Sequence, residues 1–299
     1  MKEIKIIDLH FLNGEYAIAS FLIESSNGLI LIETGPETTF RSLKNGIESF
    51  GYQVEDVKHV ILTHIHFDHA GAAWKFARNG AKIYVHPIGL PHLANPERLW
   101  NSAAQIYKDD MDRLWGKMES IPENQLIAVN DGDEITIGGE HFKFHYMPGH
   151  AIHHNVIQYG NAVFTGDVGG VKIGGGPVVP PCPPPDINLG LWKQSIQKLQ
   201  NLNAKELYLT HFGKHESTKS YFDDLKKTLD DWANWIKPYY DAQVSAEEIT
   251  PKFMEYTKNQ LIKQGLNEAQ IQIYEYANPT WMSVTGLLRY WKLKEQGRI

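Results

Sequence analysis

The stretch Thr63-His64-Ile65-His66-Phe67-Asp68-His69-Ala70-Gly71 places three histidines and one aspartate within six consecutive positions. The residues leading into it, Val57 to Thr63, are largely β-branched and apolar, as in a buried strand, and the small residues Ala70-Gly71-Ala72-Ala73 that follow open a helix. The cluster therefore lies at the C-terminal mouth of a strand. Alternate residues of an extended segment share a face, so His64 and His66 project together, while Asp68 and His69, at the turn into the helix, reach a neighbouring point. Imidazole nitrogen and carboxylate oxygen suit Zn²⁺, iron and Mn²⁺, and the stretch offers no thiolate cage of the structural-zinc kind. Taken together, the four residues read as a catalytic metal site rather than as exposed loop histidines.

Outward from this point the chain alternates strands and helices. From Ile4 to about Leu31 short apolar runs are broken at Asn13-Gly14 and Asn27-Gly28, turn dipeptides that suggest a β-meander. Further strands are expected at Lys82 to His86, Glu134 to Ile137, Phe142 to Met147, Asn155 to Tyr159, Ala162 to Thr165 and Glu206 to Leu209. Asn95-Pro96 opens a helical stretch running toward Met118, with Leu99, Ala103, Ile106 and Trp115 on its buried side. After His211 the pattern turns to long helices. Phe222, Leu225, Leu229, Trp232 and Ile236 recur at three- and four-residue spacing, and Thr250-Pro251 and Asn278-Pro279 are expected to start two later helices. Gly174 to Pro185, rich in glycine and proline, must be a surface loop. The pattern predicts an α/β sandwich over residues 1–216, with a helical insertion at about 95–118, and a C-terminal helical cap over 217–299.

The composition narrows the functional classes. With 299 residues, 42% hydrophobic and 21% charged, the chain can bury an ordinary globular core. A formal charge of −6 argues against nucleic acid as a partner. No signal-peptide pattern and no membrane-length apolar run stand out. The single cysteine, Cys182, excludes an internal disulfide, and the expected location is cytoplasmic. A small-molecule substrate is the expected partner.

Three downstream residues fit the same metal site. His150 follows Met147-Pro148-Gly149 at a strand end, Asp167 follows Phe164-Thr165-Gly166, and His211 ends the Leu207-Tyr208-Leu209 strand. In this order His64-x-His66-x-Asp68-His69, Pro148-Gly149-His150, Gly166-Asp167 and Thr210-His211 resemble the successive motifs of the metallo-β-lactamase superfamily, from about Phe21 to Gly213. The resemblance implies a four-layer αββα sandwich with two divalent metal ions at one edge of the sheets, most plausibly zinc, with iron or manganese as alternatives. It assigns His64, His66 and His150 to the first metal, Asp68, His69 and His211 to the second, and Asp167 as the bridge. Glu33-Thr34-Gly35 stands where the family usually has Asp-Thr-Gly, so Glu33 is expected to hydrogen-bond near the site. His154 is expected to pack behind it.

Metal ions lower the pKa of bound water toward about 7, so hydroxide attack on a carbonyl needs no serine or cysteine nucleophile. Asp68 is the expected catalytic carboxylate, helping the leaving group depart. The seven-residue set points to hydrolysis of an ester, thioester or lactone, and the C-terminal helices are similar in placement to those of glyoxalase II. The alternatives are a single-iron sulfur dioxygenase resembling the persulfide dioxygenases and a non-catalytic metal-stabilised binding protein. Lys172, Arg289 and Lys292 are candidates to attract an anionic substrate, although solvated surface charge is the simpler reading. Trp100, Tyr107 and Trp115 are candidates for a pocket wall. The helical insertion, the Gly174 to Pro185 loop and the C-terminal helices are expected to enclose a pocket over the metals, and shortening that loop is expected to raise KM or change substrate preference while leaving metal content intact.

Overall fold

The computed structural model describes all 299 residues. Its first six strands form one sheet in sequence order: β1 (Ile4–Asp8), β2 (Ala19–Ile23), β3 (Leu29–Ile32), β4 (Val57–Ile61), β5 (Lys82–Val85) and β6 (Leu126–Ala128). The second sheet holds the other six: β7 (Glu134–Ile137), β8 (Glu140–Tyr146), β9 (Asn155–Tyr159), β10 (Ala162–Phe164), β11 (Glu206–Leu209) and β12 (Gly213–Glu216). The expected meander is present as the antiparallel β1–β2–β3, after which β3, β4, β5 and β6 run parallel.

The helices are α1 (Phe40–Ser49), α2 (Phe67–Ala70), α3 (Ala73–Arg78), α4 (Leu90–Ala94), α5 (Glu97–Tyr107), α6 (Met111–Leu114), α7 (Leu189–Asn201), α8 (Lys219–Asp241), α9 (Ala246–Lys263), α10 (Glu268–Ala277) and α11 (Thr280–Glu295). Three apolar layers hold them to the sheets. In β3, Ile30 and Ile32 join Phe21, Phe142, Phe144 and Phe164 between the sheets, while Leu29 and Leu31 meet Leu43, Ile47 and Phe76 of α1 and α3 on the outer face. This period-two alternation with both faces buried is what a strand covered on each side demands. On the far side, Trp192 and Ile196 of α7 share a core with Leu225, Leu229, Trp232 and Ile236 of α8 and Leu287 of α11. Each such side chain contributes roughly 1.5–3 kcal/mol by leaving water. The result is the expected αββα sandwich with a C-terminal helical region.

Three helix boundaries differ from the sequence expectation. Thr250-Pro251 does not start a helix: α9 begins at Ala246, because the Ser245 hydroxyl accepts the Glu248 N–H at 3.3 Å and caps it earlier. Thr250 is an interior residue whose hydroxyl donates back to the Ala246 carbonyl at 2.8 Å. The stretch from Asn95 is broken at Lys108, where φ is +49°, and its helical part ends at Leu114. At Asn278-Pro279 the proline is the cap and α11 starts one residue later.

Candidate metal centre

The strands deliver the chemistry to one rim. β4 runs parallel to its neighbours and ends just before His64. In the second sheet β8, β10 and β11 share one direction, because β9 is antiparallel to both β8 and β10 and β11 is parallel to β10. His150, Asp167 and His211 follow their C-terminal ends, so ligand candidates from both sheets converge at the seam.

Tight turns make the convergence possible. Gly149 has φ +129°, and a Cβ there would lie 2.3 Å from the backbone of Trp192 on α7. Gly166, at φ +49°, would place a Cβ 2.5 Å from the Thr63 hydroxyl and 2.6 Å from His154. Only glycine fits either site, which explains why Pro148-Gly149-His150 and Gly166-Asp167 carry their glycines.

Two groups result, His64, His66, His150 and Asp167 in one and Asp68, His69 and His211 in the other, with the donor atoms of each group within 4.8 Å of one another. In the first, His66 Nδ1 lies 3.0 Å from His64 Nε2 and 3.1 Å from His150 Nε2. Asp167 spans both groups: Oδ2 is 3.2 Å from His150 Nε2, while Oδ1 is 3.2 Å from His69 Nε2 and 3.4 Å from His211 Nε2. Asp68 Oδ2 is 3.4 Å from His211 Nε2. Ligands about 2.0–2.1 Å from a tetrahedral ion sit about 3.3 Å apart, so these separations fit metal coordination.

The outer nitrogens of the rings are fixed from behind. His211 Nδ1 donates to the Ala17 carbonyl at 2.7 Å, and His150 Nδ1 donates to Pro181 at 2.9 Å, which leaves each Nε2 lone pair facing inward. Glu33 is fully buried, with one oxygen accepting the Thr63 N–H at 2.7 Å and the other 2.8 Å from His69 Nδ1. It also holds φ +62°, an uncommon conformation for a residue other than glycine. Thr34 grips the His69 carbonyl through its N–H at 2.7 Å and its hydroxyl at 3.0 Å. The Glu33-Thr34-Gly35 turn therefore orients His69 as expected. His154 accepts the Asp167 N–H at 3.2 Å and stacks on His64, in the supporting place expected of it.

Two further observations fit a bound cation. His69 Nε2, His211 Nε2 and Asp167 Oδ1 are buried without a hydrogen-bond partner. The only ion-pairing partners of Glu33, Asp68 and Asp167 are histidines, with no lysine or arginine to offset their charge. Burial, together with the neighbouring rings, pushes His64 well below the ordinary histidine range, and burial takes His150 down to about 4, so both are neutral bases. For Asp167 burial works the other way, but His69, His150 and His211 hold its carboxyl well below the usual range.

A chamber of about 780 Å³ opens over His66, Asp68 and Asp167. Its walls include Leu99, Ala103, Ile106, Tyr107 and Trp115 from the insertion, prolines 181 and 183–185 from the loop, and residues 275–279 with Trp281 from the C-terminal helices. The three expected segments thus enclose it, although Trp100 stands behind the wall against Phe67. Cys182 is buried with its thiol pKa driven up by burial, an inert packing residue. The expectation that shortening Gly174 to Pro185 spares metal content is revised, because Pro181 holds His150. Of the basic candidates, the Lys172 ammonium donates to the Gly176 carbonyl and lines a separate cavity of about 610 Å³. Arg289 Nε donates to Pro185 at 2.9 Å, and Lys292 lines a shallow depression with Tyr240 and Glu295 away from the chamber. His153 escaped sequence reading. It lines the chamber beside His64 and His66, and its only sequence signal is its place next to His154.

The sequence model described as the metallo-beta-lactamase superfamily matches residues 13–211, more than half of the chain and all seven ligand candidates. The chain belongs to that superfamily. It is 28% identical over 191 residues to a metallo-beta-lactamase fold-containing protein, ST1585, of Sulfurisphaera tokodaii, covering 62% of this chain and 72% of that one. It is 26% identical over 145 residues to the human acyl-coenzyme A thioesterase MBLAC2, covering 44% of this chain and 50% of that protein. The fold is similar to that of the metallo-beta-lactamase family protein TTHA1429 of Thermus thermophilus, with a TM-score of 0.71 and 17% identity, over 99% of this chain and 93% of the other. No helix is long and apolar enough to cross a membrane.

Proposed function

We propose that the protein is a metal-dependent hydrolase that cleaves an ester, thioester or lactone at a two-metal centre. Asp167 carries the two-metal reading, because it turns one oxygen to each histidine group. Divalent cations there would supply Lewis acidity toward a carbonyl and hydroxide near neutral pH. The residues do the rest. His64, His66 and His150 would hold one ion, and Asp68, His69 and His211 the other. Glu33, Ala17 and Pro181 fix the imidazoles so that no reorganisation is needed during the reaction. Asp68, with 21% of its side chain exposed against 5% for Asp167, is the site carboxylate most open to the chamber and the one placed to take a proton from the attacking water and hand it to a departing thiolate or alkoxide. The apolar walls exclude water and hold the acyl part.

The likeness to an acyl-coenzyme A thioesterase supports a thioester, and the C-terminal helices support a glyoxalase II-like layout. A single-iron dioxygenase would need only the first group, and the second is equally well assembled. Metal quantification coupled to an ester, thioester and lactone screen on one preparation tests the reading. About two metal ions per chain with turnover on one of these classes is expected. Metal-replete protein that binds at most one ion, or hydrolyses none of them, would refute it.

A further inference from the structure

Six aromatic side chains, Phe11, Phe67, Tyr107, Trp115, Tyr276 and Trp281, line the chamber. Five of them form one connected wall with Trp115 near its centre. Phe11 and Phe67 lie nearly parallel to Trp115 at 5.8 and 6.0 Å, Tyr107 meets it edge-on at 5.1 Å, and Trp281 meets Tyr107 edge-on at 5.6 Å. Phe67 sits between His66 and Asp68 in the chain, so the wall starts beside the candidate ligands and leads away from them. Aromatic side chains have two side-chain torsions each, and the prolines at 183–185 that complete the lining have no free side-chain rotation. The five rings hold one another in place, so this wall keeps its shape, and a flat ring laid against it gains offset and edge-to-face contacts that a flexible alkyl chain does not.

One wall residue also offers a polar contact. Tyr107 is half-buried in the chamber wall, and its hydroxyl's only partner is the Met282 sulfur at 3.3 Å, a weak acceptor. Burial, reinforced by the Asp68 carboxylate, pushes its pKa up, so it remains a donor.

We propose that the acyl part of the substrate is a planar arene lying against the Trp115–Tyr107–Trp281 wall, with a ring-borne oxygen accepting the Tyr107 hydroxyl. This deepens the hydrolase reading and rests on it for the reaction, but the ring subsite can be tested by binding alone.

The probes are 2-naphthoate, its ring-hydroxylated isomers and the saturated analogue decalin-2-carboxylate, titrated calorimetrically into metal-loaded protein. All present one carboxylate to the metals, so differences report on the wall. At about twofold to tenfold per ring contact, 2-naphthoate is expected to bind at least tenfold more tightly than its saturated analogue. Trp281→Leu should erase most of that ratio, and Trp281→Phe, which restores a ring, should recover part of it. At least one hydroxynaphthoate should bind better than 2-naphthoate, and Tyr107→Phe should remove that advantage. Equal affinity for flat and saturated acids, or a ratio unmoved by Trp281→Leu, overturns the proposal. Paired naphthoyl and decanoyl thioesters separate the two readings. Ring-selective binding without any hydrolysis sinks the hydrolase and leaves the subsite standing, while hydrolysis that favours the decanoyl ester does the reverse.

Discussion

Glu33→Gln changes one atom in the support of His69. In the native arrangement two buried donors, the Thr63 N–H and His69 Nδ1–H, point at the two carboxylate oxygens at 2.7 and 2.8 Å. An amide has one acceptor oxygen, so its NH₂ must face one of those donors. If His69 keeps its tautomer, one buried donor goes unsatisfied, at a cost of about 1–3 kcal/mol. If it changes tautomer, Nδ1 accepts from the amide, but the proton then sits on Nε2 and blocks the lone pair that faces Asp68 and Asp167. Either way the second ion binds less tightly, by about 10–100-fold as is usual for loss of an outer partner. Metal retained after dialysis against graded chelator should show one ion per chain leaving at lower chelator concentration while the other keeps its wild-type midpoint. The melting temperature should fall by about 2–5 °C. Wild-type midpoints for both ions together with an unchanged melting temperature would refute the argument that Glu33 sets the His69 tautomer.

Chelation of the wild-type protein strands the inward-facing His69, His211 and Asp167 atoms; each ion present at about a thousand times its Kd adds about 4 kcal/mol, so loss of both should lower the calorimetric melting temperature by about 13 °C, reversed by adding metal back. Gly286→Ala would bring a Cβ within 1.9 Å of the Cys182 carbonyl, pushing α11 away from the proline loop. A loss of about 1–3 kcal/mol and a raised KM are expected from melts and kinetics, with kcat less affected. Glu275, half-buried and accepting from the Thr280 N–H and hydroxyl, has its carboxyl pKa raised by desolvation, so its ionisation opposes folding. That penalty is absent below the unfolded value near 4.5, grows as pH rises from there to the higher folded value and is constant above it. Glu275→Gln should therefore melt higher than wild type at pH 7, with the gap closing as pH falls toward 4.5, and a gap independent of pH would contradict this.

The site was more legible in the sequence than the chamber around it. The His64 to His69 stretch is compact, and His150, Asp167 and His211 each follow a strand with a turn signal, so local pattern sufficed to name them. Glu33 was visible only through its motif, since nothing local says that a strand-end carboxylate will meet a histidine 36 residues on. Short strands were missed for related reasons. β12 reads Gly-Lys-His-Glu without apolar alternation and exists because β11 pairs with it, while β6 has three residues and follows a proline. The start of α9 was misplaced although Ser245-Ala-Glu-Glu248 carries the capping pattern, because Thr250-Pro251 imitates one. Trp281 and Phe11 are far apart in the chain and meet the chamber only through tertiary packing, which no periodicity records.

The first sheet uses strands up to Ala128 and the second begins at Glu134, so the chain falls into two consecutive halves with a complete sheet in each. The ligand candidates are shared between them: His64, His66, Asp68 and His69 come from one half and His150, Asp167 and His211 from the other. Severing the backbone between Asn130 and Asp133 would leave two polypeptides, each with an uncovered apolar sheet face and an incomplete set of donors. Reassembly of such fragments would then be driven jointly by hydrophobic closure and by coordination, and an added divalent ion should act as the clasp that sets how tightly the halves complement one another.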